Sequence, residues 1–272
     1  AVDDVSRRPP PDIIAAWPAH MPQRSESRSA WPAVSVDGPR VVVLGIAQDG
    51  GYPQAGCSGP CCAPAWTDPG RRRRAASIGV LAPASASRWL IDATPDLRDQ
   101  LHDLDGLQPP SGPPPGLTGI LLTHAHLGHC VGLLQLGREV MGATAVPVWA
   151  MPRMRRFLET NAPWRQLALE GHVTLHTLTP DRALLLTPGL AATPIPVPHR
   201  DEHSETVGYL LQGPSRRVLY VPDVDRWDDW APPLEARLAA VDVHGLRWDV
   251  GQDVPYSSDR LILGLTNVIA AS

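Results

Sequence analysis

The chain contains no lysine: all 24 of its basic residues are arginine, which rules out a catalytic Lys. That preference is otherwise read as a base-composition habit of the source genome. Aromatic residues are scarce at 5%, with four Tyr and a single Phe, and the net charge is −4. Little is therefore available for stacking on bases, and no global charge pulls the protein toward nucleic acid or an anionic membrane. No stretch approaches the roughly 18 to 20 apolar residues of a bilayer span. The most apolar windows, 117–122 and 131–136, are short. The first twenty residues, AVDDVSRRPPPDIIAAWPAH, lack the charged, apolar and small-residue regions of a signal peptide. A soluble protein is expected, cytoplasmic or exported, with its compartment open. Cysteine is sparse too, at four in 272 residues. A chain of this length buries about three quarters of its unfolded surface as one large domain or two small ones, so disulfides are not needed for folding.

Proline and glycine are abundant, 31 and 23 residues, and they divide the chain. Residues 1–38, rich in Pro, Ser, Ala and Arg and without a period, read as an extended or disordered lead-in. From residue 39 short apolar runs alternate with turn residues, and 39–272 are taken as one domain. Strands are predicted at 41–46, 78–82, 89–92, 119–123, 146–150, 173–178, 190–197, 206–211 and 217–222. Helices are predicted from Pro95, with Leu97, Leu101 and Leu104 on one face, and from Pro152. Another follows His129, with Val131, Leu134 and Val140 on its apolar face. QPPSGPPPG at 108–116 reads as a surface loop. The pattern is α/β, of α+β character, with mixed sheets covered by helices.

The most informative segment is Thr123-His124-Ala125-His126-Leu127-Gly128-His129, directly after an apolar strand. Residues two apart in extended chain point the same way, so His124 and His126 can chelate one ion together. A metal site needs nitrogen donors converging within about 2.0–2.1 Å of the ion, and a third imidazole follows at once. Two further strand ends carry His199, in VPHRDEHSETVGY, and Asp223, in YVPDVD. Asp201, Glu202 and Glu205 surround His199 in sequence as candidates to orient a ligand imidazole, or as a plain polar loop. Asp92, before the Pro95 helix, reads as a helix N-terminal partner.

These segments resemble the metallo-β-lactamase superfamily, whose motif is His-x-His-x-Asp-His and whose fold is a four-layer αββα sandwich. QDGGYPQAGC, THAHLGH, GLLQLGREVMGA, VPVWAMPRM, VPHRDEHSETVGY and YVPDVDRWDDW together resemble the coenzyme PQQ synthesis protein B family over about 40–230. The resemblance implies a first metal held by His124, His126 and His199. It puts His129 at a second metal and Asp223 between the two, as the candidate catalytic residue. Two departures stand out. The motif Asp is Gly128 here, so the second position is expected to be weak or empty. The stretch 241–272 looks divergent or truncated, and only His244 is there to serve as the superfamily's last His.

Cys57, Cys61 and Cys62 crowd one Gly-rich loop. Vicinal Cys61 and Cys62 do not form a relaxed disulfide. A structural zinc with a fourth ligand from elsewhere is expected, as the family's similar clusters imply; a disulfide through Cys57 and free thiols are the alternatives. Cys130 reads as a buried apolar residue, Arg71 to Arg74 as a solvated or salt-bridged run, and Trp227 with Trp230 as packing.

Iron or zinc is expected at the His site. The resemblance implies oxidation or hydroxylation linked to pyrroloquinoline quinone formation, on the tyrosine of a precursor peptide. A metal-dependent hydrolase of phosphodiesterase or lactonase type is the first alternative. A non-catalytic quinone or peptide carrier that keeps the fold is the second. The expected partner is a small molecule or peptide, with a homodimer left open.

Overall fold

The computed structural model describes residues 38–246 and 269–270. The expected lead-in (Gly38 apart) and most of the divergent 241–272 stretch lie outside the described residues. In chain order the elements are β1 (Arg40–Gly45), α1 (Ala63–Thr67), β2 (Ser77–Ala82), β3 (Ser87–Ile91), α2 (Leu97–Leu107), β4 (Gly119–Leu121) and α3 (Leu127–Cys130). Then come β5 (Val146–Ala150), α4 (Pro152–Thr160), α5 (Ala162–Leu169), β6 (Val173–Thr177), β7 (Leu184–Thr187), β8 (Leu190–Pro196) and β9 (Val207–Gln212). The last are β10 (Arg217–Val221), α6 (Leu234–Leu238), β11 (Val243–Leu246) and β12 (Ile269–Ala270).

The strands form a seven-stranded sheet, β12-β1-β2-β3-β4-β5-β6, and a five-stranded sheet, β11-β10-β9-β8-β7. The first is antiparallel from β1 to β3 and parallel from β3 to β6. Its central strands β2, β3 and β4 are buried along their whole length, as continuous apolar runs covered on both faces should be. The second sheet alternates instead. Val218 and Tyr220 of β10 join the main core with Tyr209, Leu211, Leu190 and Ala192. Leu219 and Val221 point the opposite way, into a smaller core with Ile195, Val197, Val224 and Trp230. The main core also holds Leu97, Leu101 and Leu104 of α2 and the inner residues of β2 to β5, so the two sheets share it. Helices α2, α4 and α5 pack on the seven-stranded sheet, and the Trp227–Leu238 stretch covers the outer face of the other. The result is the expected αββα order.

The helix expected after His129 differs. α3 lasts four residues and gives way to a 3-10 helix, Val131–Leu136. At three residues per turn, Cys130, Leu133 and Leu136 stack on one face and are buried. Val131 and Leu134 are only half-buried, and Val140 is exposed. The tight winding accompanies a close backbone approach at Gly132, where a Cβ would lie 2.1 Å from the Thr94 carbonyl oxygen.

Candidate metal centre

The parallel strands β3 and β4 end side by side, and each releases a site residue at its C-terminal edge. Asp92, after β3, takes a left-handed backbone with φ 67°, a conformation Asp tolerates better than most residues. Its buried carboxylate accepts the Thr123 backbone N–H at 2.8 Å and the Thr123 hydroxyl at 2.9 Å. It also accepts the His129 Nδ1–H at 2.7 Å. Asp92 is thus no helix partner, as the sequence suggested: it lies under the site and orients two of its residues. The N-cap of α2 is Asp96.

The partners of the other imidazoles set their tautomers in the same way. His124 gives its Nδ1–H to Thr123 Oγ1 at 2.9 Å, and His199 gives its Nδ1–H to Asp225 Oδ1 at 2.7 Å. Glu202 Oε1 lies 3.3 Å from His126 Nε2. Each ring therefore has its proton on the outer nitrogen and a lone pair facing inward, the arrangement that metal-ligating histidines adopt. Burial pushes His124 down to about 3. Burial, then the charge of His199, lowers His126 as well, so both favour the neutral form a metal requires.

The inward atoms converge. His124 Nε2 is 2.9 Å from His126 Nδ1, which is 3.2 Å from His199 Nε2. Asp223 Oδ2 lies 3.3 Å from His124 Nε2 and 4.0 Å from His199 Nε2. Two donors bonded to one ion at about 2.0–2.1 Å stand roughly 3.0–3.5 Å apart. His124, His126, His199 and Asp223, all but His126 fully buried, thus have the separations and lone pairs of a ligand set. The donor chemistry fits a divalent ion such as zinc or iron.

A second cluster adjoins it. Asp49, His129 and Asp223 bring their donor atoms within 4.8 Å of one another. His129 Nε2 is 3.0 Å from Asp223 Oδ2 and 3.5 Å from Asp49 Oδ1. Burial opposes a charge on His129, but the carboxylates of Asp92 and Asp223 outweigh it and hold its pKa well above the ordinary histidine value. Asp49 brings a further carboxylate beside His129, next to Gly128.

Of the three acidic residues around His199, only Glu202 reaches a ligand imidazole. Asp201 instead pairs with the Arg153 guanidinium at 3.2 Å, and Glu205 accepts the backbone N–H groups of Arg153 and Met154 at the start of α4. Glu205 thus serves the N-terminus of α4, which opens with Pro152 and has no side-chain cap at its N-cap residue, while Asp201 is held by a side chain of the same helix. His244 stands in β11 with its backbone level with Leu219. Asp49 and Asp225 are not singled out by the sequence at all. The one available signal was that each lies next to a motif already quoted, in QDGG and VPDVD.

The Cys loop forms a separate cluster. Cys57 Sγ and Cys61 Sγ are 3.5 Å apart, and Cys62 joins them; all four cysteines are free thiols. Sulfurs sharing a tetrahedral zinc with bonds near 2.3 Å stand about 3.8 Å apart, so these three fit such an ion. A hydrogen bond with the Cys62 thiol lowers the pKa of Cys57, while burial raises that of Cys62. Cys130 is buried, as expected, and burial pushes its thiol up to about 12. Arg71 and Arg74 pair with Asp68 and Asp103, so the basic run is a salt-bridged loop. No helix among the described residues is long and apolar enough to cross a membrane.

Comparison with known proteins agrees with this geometry. Residues 87–252 match the family described as the beta-lactamase superfamily domain. The coenzyme PQQ synthesis protein B of Methylobacterium radiotolerans is 34% identical over 218 residues, 75% of this chain and 70% of its own length. That of Xanthomonas oryzae pv. oryzae is 32% identical over 73% of this chain and 69% of its own. The crystal structure of Zn²⁺-bound PqqB from Methylobacterium extorquens superposes with a TM-score of 0.62 at 27% identity, covering 75% of this chain and 71% of that one. The chain belongs to the beta-lactamase superfamily and, within it, to the coenzyme PQQ synthesis protein B family.

Proposed function

We propose that residues 39–272 form a metal-dependent enzyme of pyrroloquinoline quinone synthesis, with His124, His126, His199 and Asp223 holding the metal and an oxidation or hydroxylation as its reaction. The observation that carries this reading is the four-donor set with every outer imidazole nitrogen committed to a protein partner. A Zn²⁺-bound relative of the same family supports it. The metal would supply Lewis acidity and, as Fe²⁺, the one-electron chemistry through which O₂ is used. The chain's own residues do the positioning. Thr123 passes the orientation of Asp92 on to His124, Asp225 fixes His199, and Asp223 presents one oxygen toward both His124 and His129. The Cys57, Cys61 and Cys62 cluster would carry a structural zinc that braces the loop after β1.

A hydrolase of phosphodiesterase or lactonase type is the second reading. It is favoured by one observation, the carboxylate-rich cluster of Asp49, His129 and Asp223 beside the first donor set, since paired metals are common in such enzymes. Two assays separate the readings. Iron-loaded protein with a tyrosine-containing peptide and an added two-electron reductant such as ascorbate should consume O₂, adding one oxygen atom to the peptide (read by mass spectrometry) while the other leaves as water. Turnover of bis-nitrophenyl phosphate with zinc or manganese, without O₂ uptake, would replace the first reading by the second. Silence in both assays with tight binding of a quinone or peptide would leave a carrier.

A further inference from the structure

Gly128 stands where the superfamily motif has an Asp, and its surroundings show what has taken that space. A Cβ built on Gly128 would lie 2.5 Å from each of Cα, Cβ and Cγ of Asp49. Real Cβ atoms do not come that close, so a side chain at 128 and the present position of Asp49 exclude each other. Asp49 is delivered by a tight turn after β1, closed by the Gly51 N–H on the Gln48 carbonyl at 2.7 Å, with Gly51 at φ 71°. The turn aims its carboxylate at His129. The Nδ1–H of that imidazole is committed to Asp92, and its buried Nε2 lies 3.0 Å from Asp223 Oδ2 and 3.5 Å from Asp49 Oδ1. One potential ligand atom from each of Asp49, His129 and Asp223 lies within 4.8 Å of the others, close enough to share one ion.

We propose that Asp49 replaces the lost motif carboxylate and, with His129 and Asp223, binds a second divalent cation next to the first. The proposal rests on the metal reading above and adds a ligand from outside the motif. Two carboxylates and one imidazole make a harder donor set than the neighbouring three-histidine set, suited to Mn²⁺, Fe²⁺ or Zn²⁺. Asp223 is shared between the two positions, because its Oδ2 lies within 3.3 Å of both His124 Nε2 and His129 Nε2. The carboxylate has moved from the helix start to the loop after β1 while the pocket keeps its charge. The chain would then hold a complete two-metal centre where its motif alone predicts a defective one.

The test uses the full chain, stripped by chelation and refilled with Mn²⁺, which thiolates bind poorly, so that the Cys cluster does not confuse the count. The wild type should take up two Mn²⁺ per chain and give a spin-coupled electron paramagnetic resonance spectrum. Asp49→Asn and Asp49→Ala should each take up one and give the isolated six-line signal. Their second-site affinity should fall by more than the roughly 10- to 100-fold that loss of an outer-shell partner costs. Asp49 is half-exposed on its turn, so the stripped variants should melt with the stripped wild type. Two coupled Mn²⁺ in either variant would overturn the proposal. So would a single uncoupled Mn²⁺ in the wild type, which would leave the first site standing. A wild type that binds none at this centre would remove the metal reading and this proposal together.

Discussion

Asp225 and Asp92 touch no inward-facing donor atom, yet each holds an imidazole from behind, at 2.7 Å in both cases. Removing the charge of such a partner frees the ring to rotate and to change tautomer. Asp225→Asn should therefore weaken metal binding by about 10- to 100-fold with the fold intact, measured by competition with a chromophoric chelator. An unchanged affinity would show that His199 needs no anchor. The thiols offer a second check. With any bound metal chelated, iodoacetamide at pH 8 should modify Cys57, whose pKa is lowered. It should spare Cys130, which is buried and whose thiol burial pushes up to about 12; peptide mass spectrometry reads both. At this scale the sequence was only partly legible. The histidines stood out because three fell within one short motif after a strand. Asp92 and Asp225 stand 37 and 26 residues from the imidazoles they hold, and only the fold brings them there. Of the acidic residues around His199 only Glu202 orients a ligand imidazole; Asp201 and Glu205 neighbour His199 in the chain but serve α4.

Among the elements, β9 shows how the second sheet fixes the edge of the first. The buried Tyr209 hydroxyl donates to the Leu122 carbonyl at 2.7 Å, one residue before Thr123. Tyr209→Phe leaves that carbonyl without its partner and should cost about 1–3 kcal/mol of stability. The loss is to be read from denaturant melts, with metal stoichiometry retained; a neutral result would mean that the sheets are aligned by apolar packing alone. Most strands could be read from their apolar runs, because parallel strands covered on both faces are nearly all apolar. The segment after His129 could not. Its residues suit an α-helix of ordinary period, and the shift to three residues per turn accompanies the contact of Gly132 with the carbonyl of Thr94. Nothing local in the sequence announces a contact of that kind.

For the whole molecule, the two shared layers of sheet place four chain segments at one edge: the ends of β3, β4, β8 and β10, carrying Asp92, His124 to His129, His199 and Asp223. The fold class was legible because those segments each carry a motif, and the motifs fit one known architecture. The surroundings of Gly128 were not, since only the fold brings Asp49 against it. The His set should bind metal independently of the Cys loop. The most direct measurement is elemental analysis of protein purified without added metal, comparing wild type with His124→Ala and Cys61→Ser. Each variant should lose metal which the other retains. A His124→Ala protein with the same bound metal as the wild type would contradict it.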